Sequence, residues 1–238
     1  MKKIASILAL AFLTIATSAQ SLIPLKYGIK VGTNISNIIS TSNDGVKNID
    51  NSALIGVAGG LYMEIALNDK WYINPELIYS QKGASFTYEY THNYDVNQSD
   101  IHNTSHELKL AYIELNPTIS YIANDKIALN FGPSVSFLIQ SDYTASEINA
   151  SEITGHEVLE EGIYAEESLD VGVNLGISYY LTENFFIDSR VNSSLMKAGT
   201  ISKLINTGIV SGSSTNSPEI NIYEIRNSII SFSIAYLF

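Results

Sequence analysis

The feature that most restricts the fold is a two-residue alternation of apolar and polar side chains that recurs in eight separate stretches. From Tyr27, the residues Tyr27, Ile29, Val31, Thr33 and Ile35 alternate with Gly28, Lys30, Gly32, Asn34 and Ser36, which places the two sets on opposite faces of a strand. A second stretch runs from about Ala53 to Leu67, a third from Trp71 to about Phe86, and a fourth from about Leu110 to Ile122. The fifth covers Ile127 to Ile139, the sixth Ser168 to Leu181, and the seventh begins at Phe185 and reaches Leu195. The eighth closes the chain with Ile230, Phe232, Ile234, Tyr236 and Phe238 on one face.

The links between these stretches alternate in length. After the second, fourth and sixth, three or four residues suffice, with turn formers at Asn68-Asp69-Lys70, Asn124-Asp125-Lys126 and Thr182-Glu183-Asn184. The other links are about 14 residues or longer. Short turns on one rim and long loops on the other are the pattern of a transmembrane barrel. The expected fold is therefore all-β: an eight-stranded antiparallel up-and-down transmembrane β-barrel with short periplasmic turns, long outer loops and both termini at the periplasmic rim. Tyr27, Trp71, Tyr121, Phe185, Tyr236 and Phe238 fall near that rim, where an interfacial aromatic girdle would lie. Pro75, Pro117 and Pro133 interrupt strands, and proline lacks a ladder donor, so bulges are expected there.

A soluble up-and-down barrel also alternates, but its interior is apolar and its exterior polar. Here one face carries Lys30, Glu64, Glu76, Lys82, Glu114, Asp170, Asp188 and Arg190, and the other is a nearly charge-free band of branched and aromatic residues. In water such a band would aggregate, so the charged face belongs inside. An eight-stranded lumen is just filled by its side chains, and the five acids and three bases are read as a plug of ion pairs and hydrogen bonds.

The N-terminus has its own pattern. Lys2 and Lys3 precede an apolar stretch from Ile4 to Ala16, and Thr17-Ser18-Ala19 supplies small residues before Gln20. This is an export signal, too short for the roughly 20 residues of a spanning helix. Residues 1–19 are expected to be cleaved, leaving 20–238 as one barrel domain. Loss of Lys2 and Lys3 takes the net charge from −11 to −13, which argues against nucleic acid as a partner. With no cysteine, disulfides, zinc thiolates and cysteine nucleophiles are excluded.

Candidate chemistry is sparse. Between Gln140 and Glu167 the chain carries Asp142, Glu147, Glu152, Glu157, Glu160, Glu161, Glu166 and Glu167 without a lysine or arginine, but the spacing is not that of a calcium loop. His102 and His106, with Asp95, Asp100 and Glu107 nearby, would share a side only on a helix, and the surrounding Asn and Ser favour a solvated loop. A lipid-acting Ser-His-acid set would have to draw on His92, His102, His106 or His156, all in expected outer loops and none matched to a serine. No catalytic, cofactor-binding or metal-ligating residue is assigned, and no cofactor is expected. The Gly, Ser, Asn and Thr of 197–227 suggest a mobile last loop.

Six segments carry a family likeness: YGIKVGTNISNI from Tyr27, ELIYSQKGASF from Glu76, LAYIELNPTISY from Leu110, LNFGPSVSFLI from Leu129, DVGVNLGISYYL from Asp170 and FFIDSRVNSSL from Phe185. Together they resemble the PorT-like outer-membrane β-barrel domain family over almost the whole mature chain. The resemblance implies a Gram-negative outer-membrane location, and a C-terminal Tyr236-Leu237-Phe238 read by the barrel insertion machinery. Asn116 departs from the apolar residue usual before that proline, and the third loop is unusually acidic. The function this implies is a non-enzymatic barrel in outer-membrane lipid whose four long loops meet an extracellular ligand or envelope protein. A component of a secretion or envelope assembly is the alternative, and a lipid A-modifying enzyme a more distant one.

Overall fold

The computed structural model describes residues 25–42, 50–95, 98–148, 162–164, 168–197, 199–205 and 219–238. Its strands are β1 (Leu25–Ser42), β2 (Asp50–Ala66), β3 (Trp71–Asp95), β4 (Gln98–Asn124), β5 (Ile127–Ile148), β6 (Gly162–Tyr164), β7 (Leu169–Tyr180), β8 (Phe185–Ser194), β9 (Gly199–Ile205) and β10 (Glu219–Leu237). The wall runs β1-β2-β3-β4-β5-β7-β8-β10, and β10 pairs back onto β1 from Gly28↔Leu237 to Ser42↔Tyr223. Every pairing is antiparallel, so the eight-stranded barrel is closed and its wall has no edge. The short strands β9 and β6 are additions: β9 pairs with the outer part of β10, and β6 with β9.

The three short turns share one device. Asn68 Oδ1 accepts from the backbone N–H groups of Lys70 and Trp71 at 2.9 and 3.0 Å, and Asn124 Oδ1 does the same for Lys126 and Ile127. Thr182 Oγ1 takes that place in the third turn, accepting from Asn184 and Phe185. Side-chain capping of this kind explains why Asn or Thr opens each turn.

Several strands outrun their expected bounds. β3 continues past Phe86 to Asp95, β4 starts at Gln98 rather than Leu110, β5 extends to Ile148 and β10 begins at Glu219 rather than Ile230. The second long loop is thus a hairpin continuation of the wall, paired from Phe86↔His106 to His92↔Asp100. Residues 197–227 hold the β9–β10 pairing, while 206–218 lie outside the described residues. Charged, amide and histidine residues interrupt the apolar alternation in the added segments, and each segment is paired along a neighbouring strand.

The prolines do not produce bulges. Pro75 faces Pro117 directly across β3 and β4. Between β4 and β5, Leu115↔Val135 and Ile119↔Phe131 bracket the interruption in unchanged register, which sets Pro117 opposite Pro133. Pro133 in turn faces Val173 of β7. Two opposed prolines lack the same donors, so both strands lose bonds together and neither needs an extra residue. Lumenal side chains occupy carbonyls along this row: Thr118 Oγ1 donates to Asn74 O at 3.2 Å and Asn174 Nδ2 to Pro133 O at 3.5 Å. The register shifts lie elsewhere, between Ala53 and Ala58 of β2, for example.

Burial is inverted relative to a water-soluble protein. The buried set includes Lys30, Asn34, Glu76, Lys82, Asn130, Asp188 and Arg190, while Ile29, Val57, Leu129, Leu175, Ile187 and Phe232 are exposed. Leu175, six positions from the end of its band at Leu181 and 66% exposed, sits at mid-height. Leu175→Arg is expected to destabilise the bilayer-inserted barrel by about 2–4 kcal/mol, and Leu195→Arg, near the opposite end of its band, by about 0–1 kcal/mol. Urea titration from lipid vesicles, followed by Trp71 fluorescence, measures both; equal small costs would contradict a lipid-facing band.

Candidate functional site

Inward-facing positions of all eight wall strands build the lumen, and they are stacked in layers. At the turn end, Tyr62 of β2, Phe186 of β8 and Ala235 and Leu237 of β10 are buried together, with Tyr180 of β7 packed on them. Ring centroids lie 5.2 Å apart for Tyr62 and Phe186, and 5.0 Å for Tyr180 and Phe186. Tyr180 donates to Glu64 Oε2 at 3.0 Å, and Asn74 Nδ2 to the Tyr62 hydroxyl. Leu237 is fastened by its own backbone: its N–H donates to Asn184 O at 2.7 Å and its carbonyl accepts from Asn184 Nδ2 at 2.8 Å.

The middle layer is a four-membered ion cluster. Arg190 of β8 holds Glu76 of β3 through two parallel bonds, Nη1 to Oε2 and Nη2 to Oε1, each 2.9 Å. Lys30 of β1 donates to Asp188 Oδ1 at 2.7 Å and lies 3.3 Å from Glu76 Oε1. Arg190 also approaches Asp188 at 3.4 Å. Two bases and two acids balance within it, and the two-pronged arginine–carboxylate geometry is the strong form of such a pair. Asn130 Nδ2 and Ser178 Oγ complete the second Asp188 oxygen at 3.1 and 2.9 Å.

Further from the turns, Lys82 of β3 meets Glu114 of β4 at 2.6 Å and Asp170 of β7 at 3.9 Å, with its ammonium 4.7 Å from the Tyr112 ring centroid. Asp170 also accepts from Asn227 Nδ2 at 3.0 Å and from the Ser194 hydroxyl. Beyond this layer the inward residues become apolar again, with Ala84, Leu108 and Leu110 buried. A cavity of about 50 Å³ bordered by Lys30, Asn34, Glu76, Glu114, Asn174 and Arg190 remains. That is room for a few waters.

All eight charged residues expected inside are buried. What charge counting missed is the asparagine set. Asn192 Nδ2 donates to Asn174 Oδ1 at 2.9 Å, Asn174 Nδ2 to Asn116 Oδ1 at 3.2 Å, and Asn116 Nδ2 to Glu114 Oε2 at 3.3 Å. This chain runs across β8, β7 and β4 and ends on the Lys82 partner, which gives Asn116 a role that an apolar residue could not fill. The signal was available, since asparagine recurs at the inward phase of seven wall strands as Asn34, Asn74, Asn116, Asn130, Asn174, Asn192 and Asn227.

The histidine pair is not on a loop or a helix. His102 and His106 lie within β4, opposite Tyr90 and Phe86, and four residues of extended chain separate their Cα atoms by about 13 Å, too far to share one metal ion. His92 and Asp95 are in β3, Asp100 and Glu107 in β4. Of the acidic run, Asp142 and Glu147 are in β5, and Glu152, Glu157, Glu160, Glu161, Glu166, Glu167 and His156 lie outside the described residues. Among the described residues no group of three or more potential metal ligands gathers.

A closed wall, an apolar exterior and a filled polar lumen define an integral barrel of the outer-membrane kind. The family model for the outer membrane protein β-barrel domain matches residues 18–198. The chain belongs to that family, which places it in the outer membrane. Similar solved structures include neisserial surface protein A, at 14% identity, covering 89% of this chain and 97% of that one with a TM-score of 0.45. The attachment invasion locus protein Ail of Yersinia pestis, solved with a heparin analogue, shares 11% identity over 90% of this chain and 99% of its own, TM-score 0.37. The outer membrane protease OmpT of Escherichia coli shares 12% over 90% and 96%, TM-score 0.37. No curated protein matches the sequence.

Glu76 is the acid to which both middle-layer bases bind. Glu76→Gln leaves Lys30 and Arg190 facing Asp188 alone, and breaking a buried ion cluster this way is expected to cost about 3–5 kcal/mol. Urea unfolding of the variant from vesicles measures it; a cost near zero would mean that the cluster does not help to hold the barrel.

Proposed function

We infer that this is a non-enzymatic outer-membrane barrel whose wall is an anchor and whose outward extensions bind an extracellular ligand or a component of the envelope. The observation that carries the reading is a contrast of scale. The lumen is filled by ion pairs and hydrogen bonds, whereas β3 and β4 run 25 and 27 residues, more than twice the about 9–11 needed to cross a bilayer. Chain committed beyond the membrane, rather than a path through it, is where recognition would occur.

In this reading residues 1–19 direct export and are removed, and 20–238 form the barrel; the family match beginning at residue 18 fits that division. The short turns and both ends of the mature chain face the periplasm, with the extensions outside the cell. The exposed rings of Tyr236 and Phe238 flanking the inward Leu237 suit a last strand that the insertion machinery reads before closure. Membership of the narrower PorT-like group, and with it a place in a secretion or envelope assembly, rests on the six segments that resemble that group.

An epitope inserted within residues 149–161 tests this orientation. Unheated outer-membrane sample should migrate faster on SDS gels than heated sample, and protease added to whole cells should remove the epitope. A heat-modifiable barrel whose epitope is cleaved only after the outer membrane is opened would reverse the orientation; a soluble periplasmic protein with no heat shift would overturn the reading altogether.

A further inference from the structure

The two ionic layers of the lumen differ in how their charge closes. In the middle layer Lys30 and Arg190 balance Glu76 and Asp188. Further from the turns Lys82 stands against two acids, Glu114 at 2.6 Å and Asp170 at 3.9 Å, and all three side chains are buried. Lys109 and Arg226 are exposed on the outward face, so the wall separates them from this layer. One negative charge is thus left over away from bulk water, and a buried charge without compensation is strongly destabilising.

The groups around Asp170, the more distant of the two acids, all offer oxygen. Ser136 of β5, Asp170 of β7, Ser194 of β8 and Asn227 of β10 belong to four consecutive wall strands, and all are buried. Ser136 lies directly opposite Asp170. The Ser194 hydroxyl donates to Asp170 Oδ1, and Asn227 Nδ2 donates to Asp170 Oδ2 at 3.0 Å. The other end of the Asn227 amide is an orphan: Oδ1 has no partner among the described residues, although Asn227 is only 1% exposed. An acceptor left open in this way costs free energy. A half-turn of the amide exchanges its two ends, which gives the oxygen the same approach to Asp170 that the nitrogen has. The open acceptor and the surplus negative charge therefore fall in one place, and a single cation would answer both.

We propose that an alkali metal ion, sodium or potassium, is held in this layer by Asp170, the Asn227 amide oxygen and the hydroxyls of Ser136 and Ser194. The surplus of one charge sets the valence. The donors agree with it, because calcium takes about six to eight oxygens, several of them from carboxylates. Among the described residues no group of three acids or histidines gathers. The ion would tie β5, β7, β8 and β10 together at the height where the β8–β10 ladder ends, Ser193↔Ser228.

The test folds the mature chain from urea into zwitterionic nanodiscs in sodium, potassium or N-methylglucamine chloride, all at one ionic strength so that screening is constant. The readout is the temperature at which the fast-migrating folded band is lost. At least one alkali salt should raise that midpoint by about 3 °C over N-methylglucamine, and the rise should saturate with concentration. Asp170→Asn removes the surplus charge and should abolish the rise without lowering the midpoint in N-methylglucamine. Glu64→Gln, which changes the acid bonded to Tyr180 at the turn end, should keep it. A second reading does not depend on a variant: crystals of the wild-type chain grown in thallous acetate should show an anomalous peak between Asp170 and Asn227. Equal midpoints in the three salts, a rise that survives Asp170→Asn, or no thallium at that position overturns the proposal. A midpoint that follows pH but not the cation would assign the neutralising charge to a proton and overturn it equally.

Discussion

Everything in this molecule follows from the need to satisfy backbone N–H and C=O groups where no water can reach them. Each such group left open in hydrocarbon costs several kcal/mol, so a strand can cross only if both of its sides are paired. The β1–β10 ladder, from Gly28↔Leu237 to Ser42↔Tyr223, removes the last two free edges. Closure then fixes which residues face the lipid, because a slip of one position would turn every side chain of a strand to the other face. Closure also explains how the proline row is tolerated. Pro75, Pro117 and Pro133 stand side by side, so the missing donors oppose one another, and inward Thr118 and Asn174 reach carbonyls along the row.

The lumen is the second consequence. A polar face enclosed by eight strands has to satisfy itself, and it largely does so with partners drawn from distant parts of the chain: Lys30 to Asp188 ties β1 to β8, and Arg190 to Glu76 ties β8 to β3 across the lumen. Such pairs are weak evidence of net stability, because desolvating the charges offsets much of their attraction. Their contribution is to register. A displaced β8 would bury Asp188 and Arg190 without partners, a far larger penalty than the correct pairing gains, so the cluster disfavours wrongly closed barrels. The apolar layers at either end, Tyr62, Phe186 and Leu237 on one side and Ala84, Leu108 and Leu110 on the other, separate the ions from bulk water, which would weaken that discrimination.

The parts of the fold legible in the sequence are those where lipid imposes a pattern. Strands β7 and β8 were bounded within a residue or two, since Leu169 to Tyr180 and Phe185 to Ser194 coincide with their apolar alternation, and the eight inward charges were all placed. The far halves of β3, β4 and β5 were not legible, because charged, amide and histidine residues interrupt the apolar alternation there. The histidines were missed for the same reason: His102 and His106 read as loop residues although β4 runs through both. The pairing of charges was equally hidden, since alternation assigns a face but not a height. Only register reveals that Glu76 meets Arg190 while Glu64 stands apart against Tyr180.

The wall and its extensions answer to different constraints. Between the rims, an outward substitution must suit lipid and an inward one must suit a fixed set of partners, so few positions are free. Beyond the second rim, the ladder still fixes the backbone, as in Phe86↔His106. A backbone already paired into a hairpin has less order left to gain than an unpaired loop of the same length. In the lumen most polar groups are spent on one another, so the same chemistry that closes the barrel leaves little of it for a ligand.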